Sequence, residues 1–388
     1  MTDSGIGAAR GTVAIVGAAE SDRVGKLPEK SALMLHAEGA RNALADAGVA
    51  ASDVDAVLST GQPMASEVPE YLGIRPRYLD NTQMGGCSFI AHLQHAIALL
   101  GAGLANVVLI THGQSGRSRV GAPGRTMPCD SPGGQFESPF GVGGPATRYT
   151  LAATRHMHEY GTTKDQLAEI AVATRKWASL NPRAAMREPI TIEDVKSSRL
   201  IAWPFNLLDC CLVTDGGGAL VVTSAERARD CRRPPVYVLG TGEATHHNMI
   251  SQMPRFHIWD AAVQAGRSAW EMSGARPSDI DLAMFYDAFT IMPILTAEAP
   301  GFCAPGEGGA FFAGQRSAPG GDFPMNTNGG GLSYTHSGMY GMFLLVEAVK
   351  QLRGECGERQ VAGAKTAICH GTGGVLSAAA TAILSTER

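Results

Sequence analysis

The segment Asn326–Gly341, read NTNGGGLSYTHSGMYG, holds one imidazole, His336, in a glycine-rich turn just ahead of an apolar helical stretch. Glycine lets backbone approach a ligand closely, and a helix start offers N–H groups and a positive dipole end. A histidine held there can donate to a developing oxyanion. Tyr286 opens YDAFT (Tyr286–Thr290) after an apolar run, and Tyr340 lies four residues beyond His336. A phenol titrates near 10, so either tyrosine needs help from neighbours to act as a base at neutral pH. Cys87, in Met84–Phe89 (MGGCSF), stands where a helix dipole would favour a thiolate. Cys369 and His370 precede Gly371 at the end of a strand-like run. Each has a plainer alternative. Cys87 and Cys369 suit small buried apolar positions, Tyr286 and Tyr340 suit core packing, and His370 suits bonding to backbone groups.

The remaining histidines point less clearly to chemistry. His92 and His95 read as core or interface groups on the helix after Cys87. His156 and His158 sit in a charged helical context, and His246 and His247 follow a strand and could line a pocket. No carboxylate pair or metal-ligand cluster stands out, and no C-x-x-C spacing occurs, so neither a zinc site nor a disulfide framework is expected. The net charge of −4 gives nucleic-acid binding no support. The N-terminal residues lack the apolar core of a signal peptide. The longest apolar stretch, Ile90–Ile110, is interrupted by His92, Gln94, His95 and two glycines. It reads as a helix then a strand, not a membrane span. A cytoplasmic enzyme is expected.

The elements that must position these side chains alternate. Strands are expected at Thr12–Gly17, Ala56–Thr60, Asn106–Thr111, Gly217–Thr223, Val236–Gly240, Leu282–Tyr286, Ala364–Cys369 and near Gly374–Leu384. Helices are expected at Ser31–Ala47, Ile90–Leu100, Lys164–Ser179, Ala261–Ser273 and Tyr340–Arg353. Near-continuous apolar strands between helices indicate a buried α/β sheet. The chain also repeats itself. Ser-Asp-x-Asp precedes an apolar strand at 52–55 and again at 278–281, and strands end in Thr111-His112-Gly113 and Cys369-His370-Gly371. At 388 residues, two fused halves fit the size. The division falls at 1–230 and 231–388, with an insertion at about 114–204. The Gly/Pro/Ser-rich start of that insertion reads as a segment covering the active site or contacting a neighbouring subunit.

The duplicated halves, the Asn-x-Asn-Gly-Gly…His loop and the C-terminal glycine-rich strand end together resemble the thiolase superfamily over nearly the whole chain. GGCSFIAHLQHA, RHMHEYGTT, YDAFT, NTNGGGLSYTHSGMYG and VEAVKQLRGE look like the lipid-transfer or sterol-carrier branch, in particular the acyl-CoA aldolases of steroid side-chain degradation. The resemblance implies two βαβαβαββ halves packed as a five-layer αβαβα sandwich. It also exposes departures. The position of the thiolase nucleophile falls on Gly86, with Cys87 one residue, or about 100° of helix, further on. Thiolases carry Asn-Glu-Ala-Phe where this chain has Tyr286-Asp287-Ala288-Phe289, and Cys369 keeps the C-x-G form of the second thiolase cysteine.

By that resemblance Tyr286, His336 and Tyr340 are the catalytic residues, with Cys87, Cys369 and His370 as further candidates. Gly86, Ser88, Asn328, Gly329 and Gly330 would lie beside the acyl-CoA. The implied reaction is retro-aldol cleavage of a β-hydroxyacyl-CoA to a ketone and a short acyl-CoA such as propionyl-CoA. His336 would hold the thioester oxygen, and one tyrosine would take the hydroxyl proton. No metal or separate cofactor is required, since coenzyme A is part of the substrate. The implied partners are a second copy of the chain and a small protein with an OB fold and a zinc ribbon, together a heterotetramer. Two other readings stay open: a thiolase or acyltransferase using Cys87, and a non-catalytic acyl-CoA or lipid-binding subunit.

Overall fold

The computed structural model describes residues 7–61, 63–121 and 129–388. The main sheet strands are β1 (Val13–Glu20), β2 (Ala56–Leu58), β3 (Tyr78–Asp80) and β4 (Val107–Ser115), then β7 (Asp215–Ser224), β8 (Val236–Thr245), β9 (Leu282–Phe285), β10 (Thr366–Gly373) and β11 (Ala378–Ser385). Between β4 and β7, β5 (Leu200–Ala202) and β6 (Phe205–Asn206) form a small separate hairpin. Strand order in the main sheet is β3-β2-β4-β7-β1-β8-β11-β10-β9. Outward from the middle, the two sides repeat one plan. The series β1-β7-β4-β2 has two antiparallel pairings and then a parallel one, and so does β8-β11-β10-β9. The two series meet where Ala14 and Ile15 pair with Tyr237 and Val236.

Helices of eight or more residues among the described residues are α1 (Ala32–Ala47), α2 (Ser88–Gly101), α3 (Pro145–Tyr160), α4 (Lys164–Ser179), α5 (Asp260–Ser273), α6 (Ile291–Glu298) and α7 (Gly341–Leu352). α1 covers β1, β4 and β7, while α5 covers β8 and β11. α2 and α7 lie between the two strand series and touch both. The result is a five-layer αβαβα sandwich, the architecture the resemblance implies. Alternation along the strands shows why they read as unbroken apolar runs. Ala14, Val16, Val57, Val107, Leu109 and Val221 pack in the cluster under α1. Their neighbours Ile15, Leu58, Val108, Ile110 and Val222 belong to the central core. Both faces are dry, so the strands lack the polar alternation of a half-exposed sheet.

The outer helices approach their sheets through matched glycines. A Cβ at Gly17 would fall within contact distance of the Ala43 carbonyl, and one at Gly240 would do the same at the Ala269 carbonyl. Caps set the helix ends. Ser31 accepts from Met34 N at the start of α1, left-handed Gly48 ends it, and Thr163 with Gln166 forms a capping box on α4.

α1, α2, α4, α5, α7 and eight of the main strands lie where the sequence pattern places them, within a few residues. The region 114–204 differs from a structureless insertion. It holds α3, α4 and the first strand of the small hairpin, and its residues 122–128 lie outside the described residues. α3 begins with Pro145 at its first turn after Gly144, a start signal masked by the polar composition of the helix. β3 and α6 also escaped the pattern: β3 is three residues long, and α6 is apolar on every side and shows no helical stripe.

Candidate active site

The Asn326–Gly341 loop is held to the end of β9 by side chain–backbone bonds. Asn326 Oδ1 accepts from Phe285 N and its Nδ2 donates to Phe285 O, both at 2.8 Å. This clamp fixes the strand end immediately before Tyr286. Gly330–Tyr334 forms a short π turn, and Asp287 accepts from Gly331 N at 2.6 Å and Leu332 N at 3.3 Å. Gly330 has φ +62, and a Cβ there would collide with the Asp287 carboxylate, so glycine is required at that position. Burial pushes Asp287 up to about 6 despite the two N–H donors.

His336 is fixed through its backbone. Its N–H donates to Thr214 Oγ1 at 2.9 Å, and its carbonyl accepts from Thr214 N at 3.0 Å. Its ring reaches Tyr286, whose Oη lies 2.9 Å from His336 Nε2. Tyr286 Oη also accepts from Tyr340 N at 3.0 Å. Both Tyr286 and His336 line a cleft of about 700 Å³ whose other walls include Gly86, Arg148, Tyr149, Phe289 and Met339. Burial pushes the Tyr286 phenol well above 10, so at rest it is a neutral hydroxyl able to pass a proton on.

α7 starts at Gly341, one residue after Tyr340, close to the expected start. Tyr340 is fully buried and its Oη donates to Asn328 Oδ1 at 2.8 Å. Its ring lies near the pair, 5.7 Å from that of Tyr286. Its direct bond to the cleft groups is the backbone N–H on Tyr286. Asn328 also accepts from Gly330 N. Asn328, Gly329 and Gly330 are buried scaffolding of the loop, away from the cleft wall.

Gly86 does line the cleft, and what it faces is Tyr286. A Cβ at residue 86 would fall 2.6 Å from Tyr286 Oη. Any side chain there would need the ring to move. Gly86 O also accepts from Gly341 N at 3.2 Å, joining the starts of α2 and α7. Ser88 Oγ is turned into the local turn, donating to Gly85 O and accepting from Met84 N.

Cys211 lines the cleft, but the sulfurs of Cys87 and Cys369 point elsewhere. Cys87 is fully buried, with Sγ 3.7 Å from Met84 O and packed beside Gly373 of β10. Burial, with the charge of Glu243 adding to it, pushes its thiol up to about 12, the opposite of an activated nucleophile. The helix-start position does not compensate. Cys369 Sγ rests 3.7 Å from Leu344 O, and burial raises its thiol too. His370 Nδ1 bonds Thr381 Oγ1 at 2.8 Å, and burial lowers it to about 3. Both lie in the core, away from the cleft.

The sequence pattern did not flag Tyr149, Asp287 or Thr214. Tyr149 comes from α3 in the insertion. Its ring packs on Phe289 with centroids 4.9 Å apart, and its Oη donates to Gly374 O at 3.2 Å. Asp287 had one signal, its place next to Tyr286; Thr214 had none. His247 lines an adjoining cavity of about 470 Å³, while His246 bonds Gln264. His156 is buried against Glu298 and Thr162. His92 and His95, by contrast, are brought together with Asp80, a grouping that spacing alone did not suggest.

Residues 242–386 match the family model for the thiolase C-terminal domain-like fold. A steroid side-chain-cleaving aldolase of Thermomonospora curvata is 36% identical over 89% of this chain and 91% of its own length. A 17-hydroxy-3-oxo-4-pregnene-20-carboxyl-CoA lyase of Mycobacterium tuberculosis is 37% identical over 89% and 92%. An acetyl-CoA acetyltransferase of Methanothermobacter thermautotrophicus is 34% identical over 96% and 99%, so overall likeness alone does not separate lyase from transferase. A solved structure, the Ltp2-ChsH2(DUF35) aldolase, superposes with a TM-score of 0.90 at 34% identity, covering 98% of this chain and 99% of that one. With a tyrosine occupying the space in front of residue 86 and the Cys87 thiol buried away from the cleft, the chain belongs to the thiolase superfamily, among its thiolase-like carbon–carbon lyases.

Proposed function

We propose that Tyr286 and His336 carry out retro-aldol cleavage of a β-hydroxyacyl-CoA without a covalent sulfur intermediate. The observation that carries this reading is the 2.9 Å contact between Tyr286 Oη and His336 Nε2, in the space a residue-86 side chain would otherwise enter. Tyr286 takes the substrate hydroxyl proton while passing its own to His336 Nε2. The carbon–carbon bond breaks, leaving a ketone and an enolate whose charge develops on the thioester oxygen. The imidazolium so formed places a positive charge beside that oxygen and stabilises the developing enolate. The same proton then returns to the enolate carbon, giving the short acyl-CoA. The Tyr340 N–H keeps one lone pair of Tyr286 occupied and orients the phenol throughout, and Tyr340 Oη steadies Asn328. No redox step or separate cofactor enters; coenzyme A travels with the substrate.

The names of the relatives support a steroid side-chain CoA ester as substrate; propionyl-CoA as the short product rests on the family resemblance alone. The solved Ltp2-ChsH2(DUF35) aldolase supports a DUF35-type partner; on the family resemblance alone, we propose further that this partner has an OB fold and a zinc ribbon and joins a homodimer of this chain as a heterotetramer in the cytoplasm. Among the described residues no helix is long and apolar enough to cross a membrane.

The test is product analysis with steroid β-hydroxyacyl-CoA esters, with and without the DUF35-type partner. Equal amounts of steroid ketone and short acyl-CoA are expected, with no acyl adduct on the protein. Acyl transfer to free coenzyme A through a Cys87 adduct would replace this reading with the acyltransferase one. Tight binding without turnover, partner present, would leave the non-catalytic subunit.

A further inference from the structure

The loop that carries Gly86 is bounded by a side-chain cluster that the cleavage chemistry leaves unused. Asp80 ends β3, and His92 and His95 stand three residues apart on α2, a spacing that puts both imidazoles on one helix face. One ligating atom from each of the three lies within 4.8 Å of the other two. His95 Nδ1 meets Asp80 Oδ2 at 2.6 Å, and its Nε2 lies 3.6 Å from Glu243 of β8. His92 is fully buried. Its Nε2 sits 3.2 Å from Thr82 O, and its Nδ1 has no hydrogen-bond partner among the described residues. Glu243 Oε2 is buried without a partner as well. A buried polar atom left unsatisfied costs about 1–3 kcal/mol, so two of them around one cluster call for a ligand.

Two imidazoles and a carboxylate are a donor set for zinc and its first-row neighbours. A carboxylate against the far nitrogen of a ligating histidine is the arrangement that orients such ligands, and Glu243 holds that place behind His95. We propose that Asp80, His92 and His95 form a binding site for a divalent transition metal. The ion takes the place of the proton between His95 Nδ1 and Asp80 Oδ2, which leaves to solvent, and a water completes four-coordination. The side chains of His95 and Asp80 are 24% and 12% exposed, so the ion has an entry path. The site lies outside the cleft and pins Asp80 to α2 across residues 81–87, the segment that presents Gly86 to Tyr286. Its role is to stiffen the cleft wall, and it stands whether or not the cleavage reading does.

The purified chain, stripped with a chelator and dialysed, is titrated with Zn²⁺ by calorimetry and with Co²⁺ by visible absorption. One saturable equivalent per chain is expected, with a thermal midpoint that rises on saturation. Asp80→Asn and His95→Gln, both at partly exposed positions, should each weaken Zn²⁺ binding at least about tenfold and abolish the rise. Should one variant fail to fold, the other decides. Absence of saturable binding, or undiminished binding in a folded variant, would overturn the site and leave the cluster a hydrogen-bonded network.

Discussion

The ring of Tyr286 fills the space into which a side chain at Gly86 would project, with Oη 2.6 Å from where that Cβ would stand. The two positions therefore exclude one another: this site holds either a nucleophile at 86 or a phenol at 286. Gly86→Cys is expected to displace the phenol from His336. Cleavage should fall about 10²-fold or more, stability should drop by about 1–3 kcal/mol, and no acyl transfer should appear. Product analysis and denaturant unfolding check this. A variant that keeps its cleavage rate would show that the ring position is immaterial.

Thr214 grips His336 through two backbone bonds. Thr214→Val removes the hydroxyl that accepts the His336 N–H and leaves that donor short of a partner, at a cost of about 1–3 kcal/mol. Because Thr214 acts through His336, kcat should fall while KM changes little. A stability loss with unaltered kinetics would reduce Thr214 to a purely structural role.

Asp287 gives a pH signature. Burial raises its folded value to about 6 from 3.8, so the native state holds the proton more tightly than the unfolded chain. The linked stability is fully present below pH ~4 and is lost as pH rises through 6. About two pK units correspond to roughly 3 kcal/mol. Unfolding free energy measured across that window should slope downward, and Asp287→Asn should flatten the slope. An unchanged slope in the variant would assign the effect to another group.

Gly330 is constrained twice, by φ +62 and by the carboxylate of Asp287 in the path of any Cβ. Gly330→Ala should destabilise the protein by more than the ~1 kcal/mol of a simple left-handed penalty. It should also release Gly331 and Leu332 from Asp287, loosening the His336 loop. Chemical denaturation, compared with Gly354→Ala at an open left-handed position, separates the two contributions.

Much of the scaffold was legible in the chain. Apolar runs with both faces buried, such as Val107–Ile110 and Leu220–Val222, could only be interior strands, and the repeated Ser-Asp-x-Asp exposed the two matched strand series. The turn holding His336 was legible because glycine and asparagine clusters have few uses. What escaped depends on distance in space. Tyr149 reaches the cleft from an inserted helix whose polarity hid it. The helix-start position of Cys87 suggested an activated thiol, but the orientation of one side chain, toward Gly373 instead of the cleft, reverses that inference. Tyr340 shows the same limit, since four residues of spacing do not reveal that its hydroxyl turns to Asn328. Asp80, His92 and His95 are joined only because the end of β3 brings the Asp80 carboxylate to His95 of α2.

The central claim is that the phenol of Tyr286, not the sulfur of Cys87, drives bond cleavage. The most direct measurement is the single-turnover cleavage rate of Cys87→Ala and Tyr286→Phe on the same β-hydroxyacyl-CoA, with the partner protein present. Cys87→Ala is expected to cleave at close to the unmodified rate, and Tyr286→Phe at least about 10²-fold more slowly. Loss of cleavage in Cys87→Ala with Tyr286→Phe unimpaired would contradict it.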